Sequence, residues 1–364
     1  MKVGDIVSIL EGFAPLALQE DYDNSGLIVG SKDSEVDKIL LSIDVTPEVV
    51  REAISKGANL IIAHHPIVFR GLKRFNGSNY VERVVLDAIK NDIAIYASHT
   101  NIDSVEGGVS YRIAQRLGLE DVKILRPING NLVKLVTFVP NDFAQKVRDA
   151  IFSAGAGVIG NYDSCSYNVN GFGSFRANET ANPFVGQKGE IHFEPEVRVE
   201  TIVPRHLLKN CISAMLNAHP YEEVAYDVYP IELPYPKAGL GAVGVLPKPV
   251  EFDKFLLQVK QKFNAKCVRF TNPVSDSVSK VAICGGSGIE LLRDAIASGA
   301  QVFITADVKY HQFFDAENRI SIVDIGHFES EQFTVDIFYD LLTKKLSNFA
   351  ILKSEVNTNP INYI

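Results

Sequence analysis

Short apolar bursts alternate with amphipathic stretches along this chain, and one such arrangement occurs twice. The segment KILLSIDVTPEVVREAISKGANLIIAHHP, from Lys38, aligns without a gap against KVAICGGSGIELLRDAIASGAQVFITADV, from Lys280. Arg51, Ala53, Ile54, Gly57, Ala58 and Ile62 meet Arg293, Ala295, Ile296, Gly299, Ala300 and Ile304. Each copy predicts a short apolar strand, a turn, an amphipathic helix closed by glycine and a second apolar strand, which is a βαβ unit with parallel strands. A further helix-like stretch and short strand follow each copy, the strands lying in AIYASHTNID at 94–103 and SIVDIGHFES at 321–330. The expectation is an α/β protein made of two related half-domains.

Between the halves the pattern changes. From Leu132 to Ile231 come KLVTFVP, a helix-like FAQKVRDAIFSAGA, strand-like runs ending in VRVETIVP, a helix-like RHLLKNCISAMLNA and AYDVYPI. The order β, α, β, β, α, β suits a ferredoxin-like sandwich. The expected division is residues 1–131 for the first half, 132–231 for the ferredoxin-like insert, and 232–364 for a linker and the second half. The run at 229–249, rich in Pro and Gly, reads as linker, and FDKFLLQVKQKF from Phe252 opens the second half as a helix.

A length of 364 residues suits two or three domains. A formal charge of -8 argues against a general grip on nucleic acid or an anionic membrane. No segment approaches the roughly 20 apolar residues of a membrane span, and Glu11 interrupts the only early apolar stretch, so no secretory signal is expected. Cys165, Cys211, Cys267 and Cys284 are widely spaced and form no C-x-x-C pair, which fits reduced thiols. These features point to the cytoplasm and to a small-molecule substrate.

Reactive side chains in open α/β sheets gather beyond the carboxyl ends of parallel strands. His64 and His65 end one such strand, Asp103 lies just past the next, and His327 and Glu331 follow the corresponding strand of the second half. Neighbouring side chains at a strand end point in opposite directions, so His64 and His65 are expected to serve different metal ions. Two cations close together need carboxylates between them, here Asp103 and Glu331. His327 supplies the remaining imidazole, one helical turn from Glu331. Taken singly, a strand-end His, an Asp in N-x-D-S or a Glu in a first helical turn is more often a structural or capping residue; at equivalent places in two repeats they make a metal site. Mixed imidazole and carboxylate ligation suits Zn first, with Fe, Mn or Ni open.

His99 and His311 lie near the same loops and are expected as supports behind the metal ligands, substrate contacts or proton carriers, with ordinary polar packing as the plainer role. Arg70, Lys73 and Arg74 follow the His pair and suit an anionic substrate, or else a solvated loop. GGSGIELL at 285–292 reads as a tight turn, since it lacks the full phosphate-binding fingerprint.

At DNSGLIVG (23–30), AHHPIVFRGLK (63–73), SHTNID (98–103), TADVKYH (305–311), GHFESE (326–331) and SEVNTNP (354–360), the sequence resembles the Nif-three-like family, whose members are often named GTP cyclohydrolase 1 type 2 homologs. The resemblance spans the chain and implies two divalent metal ions per subunit, held by His64, His65, Asp103, His327 and Glu331. Tyr22 departs from the pattern, standing where many relatives have Trp. HPYEEVAYDVYPI at 219–231 is similar to PII and copper-tolerance-A-like sandwiches, which form trimers. The family resemblance implies a homohexamer, a dimer of trimers. It also implies a metal-dependent hydrolase that turns GTP and water into 7,8-dihydroneopterin triphosphate and formate. A nucleotide phosphoesterase and a non-enzymatic metal-binding or regulatory protein are the alternatives.

Overall fold

The computed structural model describes residues 1–364. The chain divides into two compact units, Met1–Pro127 together with Pro236–Ile364, and Ile128–Tyr235.

The first unit holds two sheets. One has five strands in the order Gly26–Val29, Ala94–Ala97, Leu60–Ala63, Lys38–Ser42, Ala350–Lys353. Its last four strands are parallel, and Gly26–Val29 runs antiparallel at the edge. The other has six strands in the order Arg269–Phe270, Ser321–Asp324, Val302–Ala306, Ser277–Ser287, Tyr235–Glu251, Glu120–Ile128. Arg269–Phe270 is again an antiparallel edge beside three parallel strands. Four consecutive positions therefore match in order and sense between the sheets.

The sequence explains these elements locally. Leu60–Ala63 and Val302–Ala306 are buried at every residue, as continuous apolar runs should be in parallel strands covered on both faces. Helix Pro47–Lys56 starts where the Thr46 side chain accepts from the Val49 amide and Pro47 fills the first turn, and it ends at Gly57, which takes the left-handed conformation (φ 67°). In the second copy the turn is longer and the helix shorter: a 3-10 turn at Ile289–Leu291 leads into Leu292–Ala297.

One expectation is corrected. Most of the Pro- and Gly-rich run read as a linker belongs to the strand Tyr235–Glu251, which pairs antiparallel with Ser277–Ser287 and shifts register between Val245 and Val250. Its glycines and prolines hide the strand period because the ladder is irregular there, and Gly241 sits at φ 69°.

The second unit is a four-stranded antiparallel sheet in the order Ser166–Arg176, Ile191–Pro204, Leu132–Pro140, Tyr226–Ile231. Helices Ala144–Ser153 and Leu208–Ala218 follow the strands Leu132–Pro140 and Ile191–Pro204 in sequence. Val133, Leu135, Val139, Val199 and Val203 form one core with Val147, Cys211 and Met215. No helix of the chain is long and apolar enough to cross a membrane.

Candidate metal centre

His64 directly follows Ala63 at the end of its strand and is fully buried. Its Nδ1 lies 2.9 Å from the carbonyl oxygen of Ser98. A carbonyl only accepts, so Nδ1 carries the hydrogen and Nε2 keeps a lone pair. That Nε2 is buried without a hydrogen-bond partner, as is Oδ1 of Asp103, and the two atoms stand 3.8 Å apart. Burying an imidazole lone pair and a carboxylate oxygen face to face is costly unless both bind something. A cation is the species that both can bind.

The other imidazoles are held in the same way. His65 Nδ1 lies 2.7 Å from Asp44 Oδ1, His327 Nδ1 2.7 Å from Asp307 Oδ2, and His99 Nδ1 2.7 Å from Asp23 Oδ1. Carboxylate partners of this kind orient metal-binding imidazoles and leave Nε2 for the ion. Nε2 of His65 and Nε2 of His327 are each 3.0 Å from Glu331 Oε2, and Nε2 of His64 is 3.6 Å from it. The residues fall into three groups with converging donor atoms: His64, Asp103 and Glu331; His65, His327 and Glu331; and His64, His65 and His99. The donor set fits a transition metal of the imidazole and carboxylate type.

Charge and burial oppose each other here. Burial pulls the His65 and His327 pKa values down, but hydrogen bonds to Asp44 and Glu331 raise His65 to about 9, and those to Asp307 and Glu331 raise His327 to about 11. Burial pushes Asp103 up to about 8, with repulsion from Glu331 adding to it. Burial also opposes ionisation of Glu331, yet the facing imidazoles, His64 and the hydrogen-bonding His327 and His65, hold its pKa well below the usual range. Protons and a metal ion thus compete for the same nitrogens.

Glu331 has room because of the glycine turn. A Cβ on Gly286, which sits at φ 61°, would lie 2.1 Å from Glu331 Oε1. The Gly286 amide donates to Ser330 Oγ at 2.9 Å, and that hydroxyl donates to the His327 carbonyl at 2.8 Å. GGSG therefore shapes the site around Glu331.

His311 belongs to none of the three groups; it is exposed and packs its ring against Tyr310 and Phe314. His99 does join the cluster, and Phe69 contacts both His99 and Tyr22, with ring centroids 6.2 and 6.4 Å away. Arg70, Lys73 and Arg74 are exposed and form no ion pair. The orienting carboxylates Asp23, Asp44 and Asp307 escaped the sequence reading. One signal was available: in the ungapped repeat alignment Asp307 stands opposite His65.

Two half-sheets of matching order, with imidazoles and carboxylates from both gathered at strand ends, define an α/β protein with a site able to hold metal. The family described as Duf34/NIF3 (NGG1p interacting factor 3) matches residues 1–360, and the chain belongs to it. A protein of Halalkalibacterium halodurans named GTP cyclohydrolase 1 type 2 homolog is 38% identical, with 100% of each chain covered. A Bacillus subtilis protein of the same name is 37% identical, over 99% of this chain and 98% of that one. The crystal structure of a Bacillus cereus protein related to NIF3 is 38% identical and superposes with a TM-score of 0.88, covering 100% of this chain and 99% of that one.

Proposed function

We propose that the protein is a hydrolase with a dinuclear metal centre, and that it acts on GTP to release formate and 7,8-dihydroneopterin triphosphate. The observation that carries the metal assignment is the buried, unpartnered pair His64 Nε2 and Asp103 Oδ1. Two ions are favoured because His64 with Asp103 and His65 with His327 fall in different groups, each completed by Glu331, so Glu331 would help to hold both. Zn leads, followed by Fe, Mn or Ni. The substrate assignment rests on the name borne by the relatives.

Divalent ions held there supply Lewis acidity toward water and toward the electrophilic centre of the substrate. The chain's own groups do the rest. Asp44 and Asp307 keep His65 and His327 in the metal-binding orientation. His99, fixed through Nδ1 by Asp23, presents its other nitrogen to the cluster and is assigned proton transfer. Phe69, beside His99, and Tyr22, against Phe69, offer aromatic faces for a planar base, and the unpaired Arg70, Lys73 and Arg74 suit its phosphates.

The insert is read as a ferredoxin-like sandwich; its βαββαβ order and strand arrangement support this. The assembly proposed is a homohexamer, a dimer of trimers, which the mass in solution tests.

For the reaction, metal-loaded protein is incubated with GTP and with nucleotide phosphoesters after metal analysis. Formate release with loss of activity in His64→Ala supports the cyclohydrolase reading. Phosphate release replaces it with a phosphoesterase. Metal bound without turnover of either class leaves a metal-binding or regulatory protein.

A further inference from the structure

The insert has a second site of a different kind. A cavity of about 560 Å³ lies against its strands Ser166–Arg176 and Ile191–Pro204 and the loop at 221–225, within the volume range of small-molecule pockets. Phe138, Phe172, Phe175, Phe184 and Tyr221 line it, and so does Glu196. Two glycines make the space. Gly171 is paired directly opposite Glu196, and a Cβ there would meet nothing within 4 Å. At Gly173 a Cβ would lie 2.2 Å from Glu196 Oε2, so only glycine leaves the carboxylate its place.

Glu196 is 8% exposed, yet it forms no ion pair. One oxygen accepts from the Tyr221 hydroxyl at 2.9 Å. The cations on the same face are engaged elsewhere: Arg198 and Lys134 each bond Glu200, both at 3.1 Å. Arg198 also lines the cavity, but with Glu196, Glu222 and Glu223 the lining carries three carboxylates to that one cation. A buried carboxylate without a cation is costly, and aromatic faces attract a weakly hydrated cation.

We propose that this cavity binds a small organic ammonium ion with an aromatic or apolar body, the cation against Glu196 and the body among Phe138, Phe172, Phe175 and Phe184. The site is independent of the metal centre and of the reaction assigned to it.

Calorimetric titration of the full chain with benzyltrimethylammonium chloride tests this, with sodium phenylacetate at equal ionic strength as the control. Saturable binding of the ammonium alone is expected, weakened at least tenfold by Glu196→Gln and abolished by Gly171→Leu, which fills the cavity without a change in bound metal. Absence of saturable binding, equal binding of phenylacetate, or wild-type affinity in Gly171→Leu would overturn it. Should Glu196→Gln fail to fold by circular dichroism, Gly171→Leu decides. If the ammonium does not bind and Gly171→Leu lowers the mass in solution, the face belongs to a second copy of this chain, and the ligand proposal is refuted.

Discussion

Thr358 donates a hydrogen bond to Oδ2 of Asp44 at 2.6 Å, and Oδ1 of the same carboxylate holds His65 Nδ1 at 2.7 Å. The tail reaches that position because Ala350–Lys353 adds a parallel strand beside Lys38–Ser42, and because Glu52 accepts from the Ser354 hydroxyl and the Glu355 amide. A residue near the carboxyl end thus orients an imidazole of the first half. Asp44→Asn should weaken metal affinity about ten- to a hundredfold, and Thr358→Val by less, with Thr358→Ser restoring it. Chelator competition measures both; unchanged affinity in Asp44→Asn would remove the orienting role.

Metal loading should release protons. With pKa values raised to about 9 and about 11, His65 and His327 are protonated at pH 7 in the metal-free protein, and both must lose that charge to bind an ion. Burial raises Asp103 to about 8, so its carboxyl also loses a proton on binding, and titration in buffers of different ionisation enthalpy should show about three protons displaced at pH 7. Apparent affinity should fall as pH drops. Raised pKa values also mean that the two histidines stabilise the metal-free fold fully below the unfolded value near 6.5, and that the contribution is lost as pH rises through 9 and 11. A metal-free melting temperature that climbs over that alkaline range would contradict the assignment.

Much of this was legible in the chain, for identifiable reasons. The repeat could be read because glycine after each helix and an apolar strand beyond it are constraints of the βαβ unit itself. His64, His65, Asp103, His327 and Glu331 could be placed because they sit at corresponding strand ends. Asp23 and Asp44 could not, since a lone Asp near a strand or turn looks like a cap, and its partner His is distant in sequence. The same distance hid Thr358. The strand Tyr235–Glu251 was obscured by its own prolines and glycines.

Asp336 provides a second pH effect, remote from the metal cluster. Burial opposes its ionisation, but Lys353 at 2.6 Å and Arg116 at 3.0 Å lower its pKa below the ordinary value. A lowered carboxylate pKa stabilises above the unfolded value, about 4, and the stabilisation is lost as pH falls through the folded value. The group is partly exposed, so the effect should be only about 0.5 to 1 kcal/mol. Denaturation midpoints of wild type and Asp336→Asn should differ at pH 7, and the gap should shrink as the pH falls below the unfolded value of about 4 and close below the folded value; a gap that persists in strong acid would assign the loss to packing.

Gly286→Ala separates the site from the fold. The new methyl would fall 2.1 Å from Glu331 Oε1, and the backbone stands at φ 61°, where an L side chain is strained. The strain alone should cost about 1 to 2 kcal/mol, a fraction of the stability of a folded domain. Glu331 has less freedom, because it is 3% exposed and its Oε2 faces three imidazoles. Displacing it disturbs both groups that contain it, so bound metal should fall by more than half while circular dichroism stays native. Retention of full metal content in folded Gly286→Ala would mean that Glu331 is not the shared ligand, and that His64 with Asp103 and His65 with His327 hold their ions without it.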